Sequence, residues 1–108
     1  MELRLHKNVT PDMLIKAGFK PSYSLKNIFR FRERLYKDSI TLTIKIDLAD
    51  DEFPIEWDVL DANTGISYTT FYYTPNTCRD LVREEVIRNF NEVVTELDNR
   101  KILYMEEW

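Results

Sequence analysis

The strict alternation of apolar and polar side chains in residues 39–48 constrains the fold more than any other feature of the chain. Aliphatic side chains occupy every second position there: Ile40, Leu42, Ile44, Ile46 and Leu48. Because successive side chains of a strand point to opposite faces, a period of two predicts a β-strand with one buried face and one solvent face. An apolar face of that kind needs a second layer of structure to cover it.

Three further segments have strand character. Upstream, polar and apolar residues alternate in the same way, with Leu25, Phe29, Phe31 and Leu35 set against Arg30, Arg32, Arg34 and Tyr36. Downstream, Ile55, Trp57 and Val59 alternate with polar residues, and residues 66–74 are rich in Thr and Tyr. The connections (residues 37–38, 49–53 and 62–65) are too short for a parallel crossover. These segments therefore predict a four-stranded antiparallel meander.

Helical signals lie on either side of the predicted sheet. Thr10 is a good N-cap and Pro11 suits the first helical position, so we expect a two-turn helix from Pro11 to Ala17 that Gly18 terminates. Beyond Pro75 the apolar period returns to 3.6, with a stripe formed by Val82, Val86, Phe90, Val93 and Leu97. This stripe predicts an amphipathic helix of about six turns that ends near residue 99.

The order of elements defines the fold class. We predict an α+β domain over residues 1–108 with the order α-β-β-β-β-α, in which a short N-terminal helix precedes a four-stranded antiparallel meander sheet. The long C-terminal helix is expected to pack on one face of this sheet, against the even-numbered side chains of residues 40–48.

Composition excludes several classes of function. Cys78 is the one cysteine and His6 the one histidine, so the chain forms no internal disulfide and lacks the usual zinc ligands. A catalytic Cys78 would need a base, and the one histidine is His6 near the N-terminus. The acidic turn at residues 47–52 does not follow the calcium-loop pattern. No glycine-rich phosphate loop and no long apolar run occurs. We therefore expect a cytoplasmic protein without a catalytic site, a cofactor, a metal or a membrane span.

Charge is distributed unevenly along the chain. The net charge is −4, but residues 1–48 carry ten basic and five acidic residues, whereas residues 49–108 carry five basic and fourteen acidic residues. Such a division marks a partner surface, or else the two halves neutralise each other inside one fold. The sequence leaves both interpretations open.

A basic stripe on the second predicted segment suggests one binding function. Arg30, Arg32 and Arg34 alternate along that strand and therefore project from its outer face, where they could contact nucleic acid. Against this, Glu56 and Asp58 project from the same face and would repel phosphates. The alternatives are a cross-strand charge ladder or a guarded edge strand.

Surplus apolar side chains suggest a second binding function. Residues 66–73 place aromatic side chains on both faces of a strand, and the tail (residues 101–108) adds further apolar residues beyond the helix. Exposed aromatic residues of this kind are enriched in protein interfaces, although the tail could instead fold back over the sheet. The candidate interface residues are Phe71, Tyr73, Leu103, Tyr104 and Trp108.

The sequence favours one function over the other. We expect a non-catalytic accessory module that binds a protein partner or associates with itself as a homodimer. The alternative is a nucleic-acid-binding protein that uses the three arginines of the basic stripe.

Overall fold

The computed structural model describes residues 2–63, 65, 67 and 80–106. Within these residues the chain forms strands and helices in the order β1 (Glu2–Leu5), α1 (Pro11–Lys16), β2 (Lys20–Pro21), β3 (Ile28–Tyr36), β4 (Ile40–Asp47), β5 (Ile55–Asp61), α2 (Asp80–Asn99) and β6 (Leu103–Glu106). Strands β2 to β5 form a four-stranded antiparallel sheet in sequence order, while β1 and β6 pair separately. The predicted α+β class, with an antiparallel sheet between a short and a long helix, is confirmed.

The centre of the sheet follows the predicted alternation. Ile44 of β4 lies opposite Phe31 of β3 on one side and opposite Trp57 of β5 on the other. The side chains at these positions form the inner face of the sheet, which contributes to the hydrophobic core. The odd-numbered residues of β4 form the outer face, where Thr43 is exposed.

The edges of the sheet differ from the prediction. The two-residue strand β2 was not predicted, because it lacks any alternation and contains Pro21. The fourth predicted strand (residues 66–74) lies outside the described residues apart from Ser67, which bridges Leu60 in antiparallel fashion. Leu25 was expected in the second strand but is half-exposed in the loop before β3, and that loop ends at Asn27 with a positive φ of 69°.

An irregularity in β3 changes the face of one predicted residue. The register between β3 and β4 shifts between Arg34 and Tyr36, so that Leu35 is the extra residue and is buried. Tyr36 then lies opposite Ile40 and packs against the core. The expectation that Tyr36 shares the outer face with the arginines is therefore wrong.

Helix α2 covers the inner face of the sheet as predicted. Val86, Phe90 and Leu97 of its apolar stripe are buried together with the even-numbered residues of β4, whereas Val82 and Val93 are partly buried. The ring of Phe90 lies 5.3 Å from that of Trp57. The helix ends at Asn99, as the period of 3.6 indicated. Burial of this apolar area supplies the main favourable term in folding.

Helix α1 begins and ends as its capping residues predict. The Thr10 Oγ1 atom accepts a hydrogen bond from the backbone N–H of Met13, and Pro11 occupies the first helical position. Gly18 follows with a φ of +102°, a conformation that favours glycine. This turn directs the chain into β2 and so forms one wall of the site described below.

The C-terminal tail is paired with β1 as far as residue 106, and its first apolar residues belong to the core. Strand β6 pairs with β1 over four residue pairs, from Glu2 opposite Glu106 to Leu5 opposite Leu103. Leu103 and its neighbour Ile102 are both fully buried. Leu103 was expected at an interface with a partner; it is instead part of the hydrophobic core, because the tail returns along β1.

The described residues form two helices, of which α2 is the longer, and neither helix is long and apolar enough to cross a bilayer.

Candidate functional site

A broad groove lies on the outer face of the sheet. Its volume is about 1150 Å³, and its floor is formed by residues of β3, β4 and β5. Residues 20–24, which contain β2 and the loop after it, form one wall. The floor is thus supplied by rigid paired strands, and the wall is a short segment held to β3 by hydrogen bonds.

Basic side chains lie next to one another across the groove. The register places Lys20 opposite Arg30, and Arg30 opposite Lys45, so that three cations occupy neighbouring strands in one row. Strands of a sheet are about 4.8 Å apart, and like charges directly opposite each other destabilise a sheet. Arg32 and Arg34 continue the basic surface along β3 at intervals of about 6.7 Å. We refer to these five residues as the basic cluster.

Few carboxylates neutralise the basic cluster. Within the described part of the chain, no carboxylate lies within 4.0 Å of the charged groups of Lys20, Arg30 or Arg32. Lys45 forms a long ion pair of 3.5 Å with Glu56. Arg34 forms a shorter ion pair of 2.8 Å with Asp38. Both pairs are open to solvent, although Lys45 is itself partly buried, and ion pairs at the surface contribute only about 0–1 kcal/mol.

The acidic residues of the groove lie on one side of it. Glu56 and Asp58 belong to β5, where Glu56 faces Lys45 and Asp58 accepts a hydrogen bond of 2.5 Å from the Ser67 hydroxyl. Among the described residues, the predicted charge ladder is therefore reduced to the Lys45–Glu56 pair between β4 and β5, and no ion pair joins β2 to β3. The groove lining has five basic and two acidic residues, a balance of +3 in a chain of net charge −4.

The opposite side of the molecule is acidic. Residues 80–99, which form α2, contain six acidic and two basic residues. Because α2 covers the inner face of the sheet, the two signs of charge occupy opposite sides of the sheet. Some neutralisation between the two halves of the sequence does occur, as in the Arg4–Glu106 pair at 3.0 Å, but among the described residues it reaches the basic cluster only through the Lys45–Glu56 pair.

The other candidate interface residues do not form a described surface. Phe71, Tyr73 and Trp108 lie outside the described residues. Leu103 is in the core, and Tyr104 is half-buried with its ring 4.9 Å from that of His6. The structure thus brings Arg30, Arg32 and Arg34 together on one face, as predicted, whereas Leu103, which was predicted at a protein interface, is buried in the core.

The acidic turns serve local structure. The Asp50 Oδ1 atom accepts hydrogen bonds from the backbone N–H groups of Glu52 and Phe53, at 3.0 and 2.9 Å. The Asp47 carboxylate likewise caps the N–H of Ala49. Across the described residues, no three His, Cys, Asp or Glu side chains come close enough together to hold a metal ion. Cys78 lies outside those residues.

Two residues of the groove were missed by sequence reasoning. Lys20 joins the basic cluster through β2, a strand too short to leave a periodic signal. Tyr23 lines the wall of the groove and is fully exposed. The one signal for Tyr23 was its position in a polar segment between Pro21 and Asn27, which indicates a loop but not the groove beside it.

The described residues define an α+β protein whose antiparallel sheet has a helix on one face and a basic groove on the other. The chain is similar to the crystal structure of a DUF1831 family protein from Lactobacillus plantarum, with a TM-score of 0.72 over 96% of this chain and 86% of that one. Their sequence identity is 16%, so the likeness concerns the fold alone. No family model matches the chain, and no curated protein matches it.

Proposed function

We propose that the chain is a non-catalytic nucleic-acid-binding protein and that the groove on the outer face of the sheet is its binding surface. The observation that carries the proposal is the row formed by Lys20, Arg30 and Lys45, in which like charges lie side by side with little neutralisation. The repulsion between these cations raises the free energy of the unbound protein, and a polyanion in the groove would reduce this repulsion. A cytoplasmic setting is consistent with this proposal.

The character of the groove favours nucleic acid over an acidic protein segment. Protein interfaces have an apolar core with charged residues depleted, whereas nucleic-acid interfaces are more polar and much more positively charged. The exposed side chains of the groove are four basic residues, Glu56, Ser24 and Thr43, together with Pro21 and Tyr23. The planar guanidinium groups of Arg30 and Arg32 also match the geometry with which arginine binds phosphate oxygens.

The acidic residues of β5 restrict the path of a bound strand. A backbone that ran across all four strands would bring phosphates next to Glu56 and Asp58. A backbone that runs along β3 passes the three arginines in turn and remains on the side of β2. We therefore place the phosphates along β3.

The test is the affinity of the protein for a fluorescently labelled oligonucleotide, measured by anisotropy over a series of salt concentrations. The double variant R30Q/R32Q is expected to bind about 10- to 100-fold more weakly near 0.1 M salt, because two charge-assisted contacts are lost. The slope of log affinity against log salt should fall by about 1.4, since each neutralised phosphate contributes about 0.7 with a single strand.

A charge-matched control separates the groove from net charge. The variant R88Q/K101Q removes the same charge from residues that do not line the groove, and it should bind like the wild type. R30Q/R32Q should unfold at the same denaturant concentration as the wild type or a higher one, because the repulsion within the row of cations is reduced. If the wild type binds a glutamate-rich peptide of equal charge but no oligonucleotide, the proposal is wrong and the partner is a protein.

A further inference from the structure

Tyr23 presents an aromatic ring beside the basic cluster with nothing packed on it. The side chain is fully exposed, and the loop that carries it lines the same groove as Arg30 and Arg32. The loop is anchored at both ends: the N–H of Ser22 donates to the carbonyl of Ile28 at 2.9 Å, and the N–H of Leu48 donates to the carbonyl of Asn27 at 3.0 Å. The ring therefore projects from a held segment.

We propose that Tyr23 is a stacking platform for an unpaired base, so that the groove selects single-stranded nucleic acid. This inference rests on the proposed function. Aromatic side chains beside a positively charged groove bind single strands because every base offers a flat π-face, while the cations hold the backbone. The chain supplies both parts: the arginines that would hold the phosphates lie along β3, and Tyr23 lies on the side of β2, where its ring would receive a base.

Stacking of this kind discriminates against a duplex. In a double helix both faces of an internal base are covered by its neighbours, so that a protein ring reaches a face only where the base has left the stack. Phosphate contacts by Arg30 and Arg32, in contrast, are available on single and double strands alike. A preference for single strands would therefore come from Tyr23 and not from the basic cluster.

The experiment compares a labelled ten-nucleotide single strand with a duplex of the same sequence, using the full chain and anisotropy at two salt concentrations. We expect Y23A to bind the single strand about 5- to 150-fold more weakly, the range for loss of one stacked base, with an unchanged salt dependence. The conservative variant Y23F keeps the ring and should bind like the wild type. The matched control is F53A, which removes an exposed aromatic ring outside the groove and should have no effect.

The possible outcomes separate this inference from the proposed function. If the wild type binds the duplex as tightly as the single strand, or if Y23A binds like the wild type, then the stacking role is wrong although an arginine-dependent affinity can remain. If Y23F is as weak as Y23A, the hydroxyl and not the ring makes the contact, which also contradicts stacking. Absence of any oligonucleotide binding by the wild type overturns both proposals.

Discussion

A chain that ends at Lys101 is expected to lose its cooperative unfolding transition. The truncation removes Ile102 and Leu103, which are both fully buried, and leaves β1 without the strand that pairs with it. Replacement of a buried Leu or Ile by Ala alone costs about 2–5 kcal/mol, and the whole free energy of unfolding of a domain is about 5–15 kcal/mol. Circular dichroism with increasing urea would measure the loss of the transition.

Two controls show whether the tail acts within one chain. L103A should lower the free energy of unfolding by about 2–5 kcal/mol, whereas E106Q, on the same strand, weakens only an exposed ion pair with Arg4 and should lower it by no more than about 1 kcal/mol. The wild-type midpoint should not depend on protein concentration, because the contacts are intramolecular. A truncated chain that remains folded, together with a concentration-dependent wild-type midpoint, would mean that the tail joins two chains.

The centre of the fold could be predicted because its signals are local. The alternation in residues 40–47 and the period of 3.6 in residues 82–97 each indicate which side chains are buried, and both are confirmed by the packing of α2 on the inner face. The N-cap Thr10 and the turn at Gly18 are also local, since each depends on a few neighbouring residues.

The remaining parts of the fold depend on contacts between residues distant in sequence. Strands β1 and β6 have four residues each and pair residue 2 with residue 106, and neither strand is long enough to leave a clear period of two. The irregularity at Leu35 likewise arises from the pairing of β3 with β4, and it moved Tyr36 to the inner face. Local patterns do not contain this information.

The candidate site could be predicted only where its signals are local. Alternation along β3 placed Arg30, Arg32 and Arg34 on one face, but their relation to Lys20 depends on a two-residue strand that only the tertiary structure creates. The exposure of Tyr23 was equally hidden, since a tyrosine in a loop can pack against the sheet or extend from it. Sequence reasoning therefore found the cations but not the wall of the groove.

Phe90 is expected to be the most costly single position in the helix–sheet contact. It is completely buried in the middle of α2, and its ring lies 5.3 Å from that of Trp57, tilted by 38°. F90A removes this ring and leaves a cavity between two layers that cannot close fully, so that the free energy of unfolding should fall by about 3–5 kcal/mol. Urea denaturation would show a lower midpoint with an unchanged slope.

The same substitution tests whether the two faces of the sheet act independently. Phe90 lies beneath the inner face, whereas the basic cluster is on the outer face of the same strands. At a temperature where F90A remains folded, its oligonucleotide affinity should equal that of the wild type, because no group in the groove has changed. F53A, which removes an exposed ring, should change the free energy of unfolding by no more than about 0.5 kcal/mol. A loss of stability in F53A equal to that in F90A would contradict the assignment of Phe90 to the core contact.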